Sequence, residues 1–261
     1  MDHRQAGQYW ESNALAWTRL ARQGWDVYRD AVNTPAFLDL LPDVTGKRGL
    51  DIGCGEGHNT RLFAQRGAQM FAIDVAPTFV RLAAEMEPAQ PYPIRYAVAS
   101  AVELPFSAEE FDFATATMSL MDIPDHVVAL REIHRVLRAG GFLQFSIMHP
   151  CFFPPHRRLL RTHQGQAYAM EVGQYFKRVD GRIERWLFSA APEDAKAGLE
   201  PFAVPIFHRT LADWLNAIIQ AGFVLEHVAE PRADDETARR VPAVEDTRVV
   251  AYFLHARCRK P

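Results

Sequence analysis

Cysteine is scarce in this chain: three residues in 261, at Cys54, Cys151 and Cys258. Their odd number and wide separation, with no CxxC pair, exclude a disulfide framework and a cysteine zinc or redox site, and fit a reducing compartment. No run approaches the roughly 18 consecutive apolar residues of a membrane helix, so no membrane partner is expected. The N-terminal stretch MDHRQAGQYWESNALAW is polar and mixed in charge, without the basic-then-apolar pattern of a secretion signal. The cytoplasm is the expected location. An excess of one charge is lacking as well: 29 Lys and Arg face 32 Asp and Glu, a net −3, so no global positive field would hold nucleic acid. Internal repeats and low-complexity runs are absent too. What remains, 48% hydrophobic and 23% charged residues, is the composition of a soluble folded chain with a real core.

Periodicity divides the chain into four parts, all read as one domain. Residues 1–42 carry helical spacing, with Tyr9, Trp10, Trp17, Leu20, Trp25 and Tyr28 among polar residues and Pro42 as the stop, and form a helical cover. Residues 45–148 alternate strand and helix: strand 48–54, helix 58–66, strand 69–74, helix 77–87, strands 94–98 and 111–117, helix 124–138 stopped by Gly140 and Gly141, strand 142–148. Such alternation implies a mostly parallel sheet with helices on both faces, a Rossmann-like α/β fold. In residues 149–209 prolines break the pattern and aromatics are dense, which reads as an irregular insertion acting as a lid or substrate loop. Residues 210–261 return to order with helix 210–221 and two strands, 223–229 and 248–256, expected as an antiparallel edge pair joined by a charged, mobile stretch, 231–246.

The stretch LDIGCGEG, with Gly53, Gly55 and Gly57, lies where a strand turns into a helix. Glycine there lets the backbone turn sharply and approach a ligand, while the helix start presents free amides to negative charge. The spacing is GxGxG, not the GxGxxG of dinucleotide binders, which disfavours a nicotinamide-dependent oxidoreductase. Downstream, the strand FAID ends in Asp74, placed to accept from both hydroxyls of a ribose. Loop and acid together point to a nucleoside cofactor; taken singly, each also reads as a tight turn or a helix cap.

LDIGCGEGHNT, AIDVAPTFV, VELPFSAEEFD and LREIHRVLRAGGFLQFS, in that order, resemble the motifs of the class I S-adenosylmethionine-dependent methyltransferases. The resemblance covers residues 45–148 and, more weakly, HRTLADWLNAIIQAGF and the final strands. It implies a seven-stranded sheet whose last strand is antiparallel, and S-adenosyl-L-methionine as cofactor. Carried onto this chain, Gly53 and Gly55 would pack against the methionine part, Asp51 would shape that pocket, Asp74 would hold the ribose and Val75 would lie along the adenine. Where the family often has an acidic residue at the adenine amine, this chain has Ala99, Ser100 and Ala101, leaving Ser100 and the backbone at Ala101 and Val102 to share the contact. Met118, beyond the fourth strand, would line the cofactor edge or serve as core.

An activated methyl donor needs chiefly an aligned nucleophile and exclusion of water; a general base helps if the acceptor is a hydroxyl or amine. No metal is required. His149, directly after the fifth strand, and His208, before the helix that follows the insertion, are the candidate catalytic residues. Each has a structural alternative, backbone bonding at the Pro150 turn for His149 and helix capping for His208. Asp122 reads first as a cap for the helix beginning at Pro124. Arg22 or Arg29 would reach the cofactor carboxylate. The function expected is methyl transfer to oxygen or nitrogen of a small apolar or aromatic acceptor; the alternative is a non-catalytic cofactor-binding module with a protein partner. Oligomeric state is not legible.

Overall fold

The computed structural model describes residues 1–86, 92 and 94–261. Along the chain run α1 (His3–Arg22), a π-helical turn Arg29–Asn33, α2 (Thr34–Leu40), β1 (Arg48–Ile52), α3 (His58–Gln65), β2 (Gln69–Asp74), α4 (Pro77–Glu85), β3 (Ile94–Val98) and β4 (Phe111–Thr117). A 3-10 turn, Leu120–Asp122, leads to α5 (His126–Val136) and β5 (Leu137–Met148). Then come β6 (His156–Arg161), β7 (Ala167–Gly173), β8 (Val179–Trp186), α6 (Glu193–Lys196), β9 (Phe202–His208), α7 (Leu211–Gln220), β10 (Val224–Ala229), α8 (Asp235–Arg240), a 3-10 segment Pro242–Arg248 and β11 (Phe253–Arg259).

Seven strands form one sheet in the order β10-β11-β5-β4-β1-β2-β3. β11 is antiparallel to β5 and β10, and the other neighbours are parallel. This is the expected Rossmann-like sheet with its last strand reversed. The two faces have different coats, as buried parallel strands require. Leu50, Ile52, Ala114, Leu143, Phe145 and Leu254 pack under α5 and α7 through Leu130, Ile133, Trp214 and Ile218. On the other face Met70, Phe113 and Phe142 meet Phe37 of α2 and Phe63 of α3.

Four expectations are corrected. The helix ends at Val136 rather than 138, because Leu137 already pairs with Phe111. Gly140 and Gly141 therefore lie inside β5, at the register shift opposite Phe111 and Phe113, where a side chain on Gly141 would sit 2.9 Å from the Asp112 carbonyl. Second, residues 149–209 are not irregular: β6 pairs with β7, and β8 with β9, as two antiparallel hairpins. The prolines tolerate this by position. Ala203 turns its N–H and C=O away from β8 to Asn13 of α1; Pro205, two residues on, points its nitrogen the same way, where no ladder bond is owed. Third, the last strand begins at Phe253, not 248, since Val249 and Val250 turn their N–H groups back to the Asp246 carbonyl, at 3.0 and 3.1 Å, and so cannot join the ladder. Fourth, the charged connection holds α8 and its 3-10 continuation, with Asp234 capping Thr237 N at 2.7 Å. The expected end of the 77–87 helix reaches residue 87, outside the described residues.

Hairpin β8–β9 and α1 lean together over the carboxyl ends of the strands. Leu20 and Ala21 pack with Phe188, Ala191, Phe202 and Val204, and Trp17 stacks edge-on against Trp186 and Phe188. Cover and insertion thus form one roof. Among the described residues no helix is long and apolar enough to cross a membrane.

Candidate active site

Beneath that roof lies a cavity of about 890 Å³. Its floor is the turn after β1. Gly53 donates to the Ile73 carbonyl at 2.8 Å and Cys54 to the same oxygen at 3.0 Å, which folds the loop over β2. Gly53 has φ +69°, and a Cβ there would lie 2.4 Å from Ser119 Cβ, so glycine is obligatory for conformation and for space. Gly55, at φ +54°, is the opposite case: a Cβ would meet no protein atom within 4 Å, because that side of the loop faces the cavity. The backbone is bared where a ligand would press on it.

Two carboxyls stand behind the loop. Asp51 accepts from Thr60 Oγ1 and, at 2.9 Å, from Thr115 Oγ1; burial still pushes it up to about 6 against those hydroxyls. Asp74 accepts from Gly55 N and Ala76 N, both at 2.9 Å, and burial likewise raises it to about 6 against these amides. Asp74 therefore fastens the glycine loop and keeps acceptor capacity facing the cavity. Asp51, Gly53, Gly55, Asp74, Val75, Ser100, Ala101 and Met118 all line this one space. Val102 does not; it packs against the main core, and its N–H faces Ser100 Oγ at 3.4 Å. Met118, at φ +55°, is pinned by its N–H to the Ser146 carbonyl at 2.9 Å.

A methyltransferase-domain family profile matches residues 50–145. The ubiquinone biosynthesis O-methyltransferase of Xanthomonas oryzae pv. oryzae is 32% identical over 185 residues, 67% of this chain and 72% of the relative. The chain belongs to the class I S-adenosylmethionine-dependent methyltransferases. An S-adenosylmethionine-dependent methyltransferase from Mesorhizobium loti superposes with a TM-score of 0.69 at 27% identity, over 86% of this chain and 96% of that one. The fold is shared, with a TM-score of 0.59 and 18% identity over 100% and 91% of the chains, by a Burkholderia thailandensis 1,6-didemethyltoxoflavin-N1-methyltransferase holding S-adenosylhomocysteine.

The residues present fit S-adenosyl-L-methionine: the open glycine turn would leave room for its amino-acid part, and the buried Asp74 carboxylate, with lone pairs to spare, would accept from the ribose. Of the two arginines expected at the cofactor carboxylate, Arg29 lines the cavity and Arg22 is committed to Glu56 at 3.0 Å. Burial and the neighbouring carboxyls hold the Cys54 thiol of the loop well above its ordinary value.

The two histidines of this methyltransferase part company. His149 does not line the cavity. Its Nδ1 accepts from Cys151 N at 3.2 Å, so Nε2 carries the proton and donates to Glu230 Oε1 at 2.8 Å. The ring walls a separate apolar pocket of about 350 Å³ under α7, because the strand pairing of β5 continues through His149 N to the Tyr252 carbonyl and turns the side chain to that face. The expectation that it reaches substrate is corrected accordingly. His208 is in the cavity wall; Nε2–H donates to the Tyr175 carbonyl at 2.7 Å, which leaves Nδ1 as its lone-pair nitrogen.

Sequence reasoning undervalued Asp122. The helix it was expected to cap starts at His126, with Asp125 in the cap position. Asp122 instead ends the 3-10 turn after β4 and opens onto the cavity. Arg209 lies over it, donating to the carbonyls of Met121 at 3.1 Å, Ile123 at 2.6 Å and Pro124 at 2.8 Å. The signal was the placement of an acid just past a strand's carboxyl end, the edge where open α/β sheets bind ligands.

The roof is aromatic, as expected in part. Phe153, Trp186, Phe188 and Phe207 of the insertion line the cavity together with Trp10, Trp17, Tyr28 and Tyr252. Phe176 and Tyr168 of the insertion lie outside it, 88% and 58% exposed. The basic run around β6 is neutralised locally, Arg157 by Glu184 at 2.8 Å and Arg158 by Glu171 at 2.9 Å.

Proposed function

We propose that this chain transfers a methyl group to an oxygen or nitrogen of a small apolar or aromatic acceptor, held between the hairpins 149–209 and the carboxyl ends of the strands. One observation carries the reading: a single cavity has the cofactor loop and Asp74 at its floor and an aromatic roof at its other end. S-adenosyl-L-methionine supplies, when bound, a methyl group already activated by a sulfonium leaving group. The chain's residues do the rest. Trp186, Phe188 and Phe207 exclude water and present flat faces to an acceptor. His208, its tautomer set by the Tyr175 carbonyl, offers Nδ1 as a hydrogen-bond acceptor to the bound methyl acceptor. The relative named for O-methyl transfer supports oxygen.

The test is release of S-adenosylhomocysteine from S-adenosylmethionine across a panel of phenols, aromatic amines, nitrogen heterocycles and polar aliphatic alcohols. Turnover is expected among the aromatic members. Turnover confined to the polar aliphatics would reject the acceptor class, and none in any class alongside intact cofactor binding would favour a non-catalytic module.

A further inference from the structure

We infer that Asp122 is the proton acceptor of the reaction, a carboxyl that ionises when the cationic methyl donor enters the cavity and keeps the proton once that charge is gone. The inference rests on the methyl-transfer reading above and adds a residue to it.

Placement comes first. Asp122 closes the 3-10 turn after β4, against which β9 packs, so the carboxyl sits between the cofactor floor and the strand carrying His208. It is half-buried, with the cavity on its open side. Among the described residues nothing hydrogen-bonds to its carboxyl oxygens and no cation pairs with it within salt-bridge distance, unlike Asp51 and Asp74, whose oxygens are engaged. Its neighbouring cation, Arg209, spends its guanidinium on three carbonyls and lies over the rings of Phe207 and Trp214, 5.4 and 5.6 Å from their centres. Arg209 is thus a positioning residue that holds the turn.

Electrostatics follows. Burial outweighs the field of Arg209 and lifts the Asp122 carboxyl well above the usual carboxylate range. The other groups facing the pair are Asp125 and His126 of α5, Arg178 and Asp180 beside β8, and Asp213 of α7. Burial keeps the His126 ring neutral, down at about 4. A positive charge brought into an apolar cavity acts through a low effective dielectric and draws such a carboxyl into its ionised form.

The step then balances. As the acceptor's oxygen or nitrogen gains the methyl, the carbon–sulfur pair stays on sulfur and the proton on that oxygen or nitrogen passes to Asp122 Oδ. One positive and one negative charge become two neutral groups. In a low-dielectric site that cancellation is favourable, whereas a proton passed to His208 would leave two separated charges in the cavity, an imidazolium and the Asp122 carboxylate.

Calorimetry on the full chain decides the matter without turnover. Binding of S-adenosylmethionine and of S-adenosylhomocysteine is measured at pH 7 in two buffers of different ionisation enthalpy, giving protons released. The sulfonium form is expected to release more protons than the neutral product. Asp122→Asn should abolish that difference, keep S-adenosylhomocysteine affinity within about threefold, and lower turnover by about 100-fold or more. Equal release for both ligands, or a difference that survives in Asp122→Asn and disappears in His208→Gln, overturns the inference. Turnover of aromatic acceptors without the proton signature would leave the acceptor reading standing and reject only Asp122.

Discussion

Asp74 shows how one side chain can serve the empty and the loaded protein in opposite ways. It fastens the glycine loop through two amides, yet burial raises it to about 6 from an ordinary 3.8. A carboxyl that binds its proton more tightly folded than unfolded supports the fold below about pH 4, and that support fades as pH rises toward 6. Asp74→Asn escapes the loss. In urea unfolding of the ligand-free protein, the variant's stability relative to the parent should therefore improve between pH 4 and pH 6, by up to about 3 kcal/mol. The same substitution should weaken S-adenosylmethionine binding about 10- to 100-fold, because hydrogen bonds to a charged acceptor are worth about 1.5–3 kcal/mol. A pH-independent stability difference would show that burial does not govern this carboxyl.

At the scale of elements, the telling contact is between a helix and a strand. Asn13 of α1 accepts from Ala203 N at 2.9 Å and donates to its carbonyl at 3.0 Å, so one side chain takes the place of a neighbouring strand on the free edge of β9. Asn13→Ala strips both backbone groups of their partner and should cost about 1–3 kcal/mol in urea unfolding; a change under about 0.3 kcal/mol would mean that water takes over without loss. This pairing also explains what could be read beforehand and what could not. Strand, glycine turn and Asp74 are local features, legible because glycine spacing and a terminal acid carry their own chemistry. α7 was legible too, from Leu211, Trp214, Leu215 and Ile218 on one face, though its cap is Thr210 rather than His208. The hairpins of the roof were hidden because Pro205 reads as a strand breaker until its outward-facing nitrogen is seen. His149 misled because adjacency to a strand end does not say which face a side chain takes, and that parity is set by pairing with β11. Asp122 was masked by the nearness of Pro124 and a helix that begins two residues later than its pattern suggests.

Taken whole, the molecule encloses its site with pieces far apart in sequence: the cover at residues 1–42, the cofactor turn, the roof hairpins and Tyr252 near the far end. A ligand there bridges parts far apart along the chain, so occupancy should be felt globally. At a concentration 100 times its dissociation constant, S-adenosylhomocysteine should add about 2.7 kcal/mol, raising Tm by roughly 5–10 °C. Trp10, Trp17, Trp186 and Trp214 line the cavity, so intrinsic fluorescence should change over the same titration; a Tm rise with no change in emission would place the ligand elsewhere.

The position of β11 between β5 and β10 has a consequence in time. A ribosome finishes β10 before the strand that must lie beside it exists. Until residues 253–259 emerge, β5 keeps an open edge and β10 has no neighbour in the sheet. Strand edges left waiting in this way invite wrong pairing between chains. The nascent protein is therefore most in need of chaperone protection between the emergence of β10 and that of β11, when the cofactor half of the sheet already has every strand it requires.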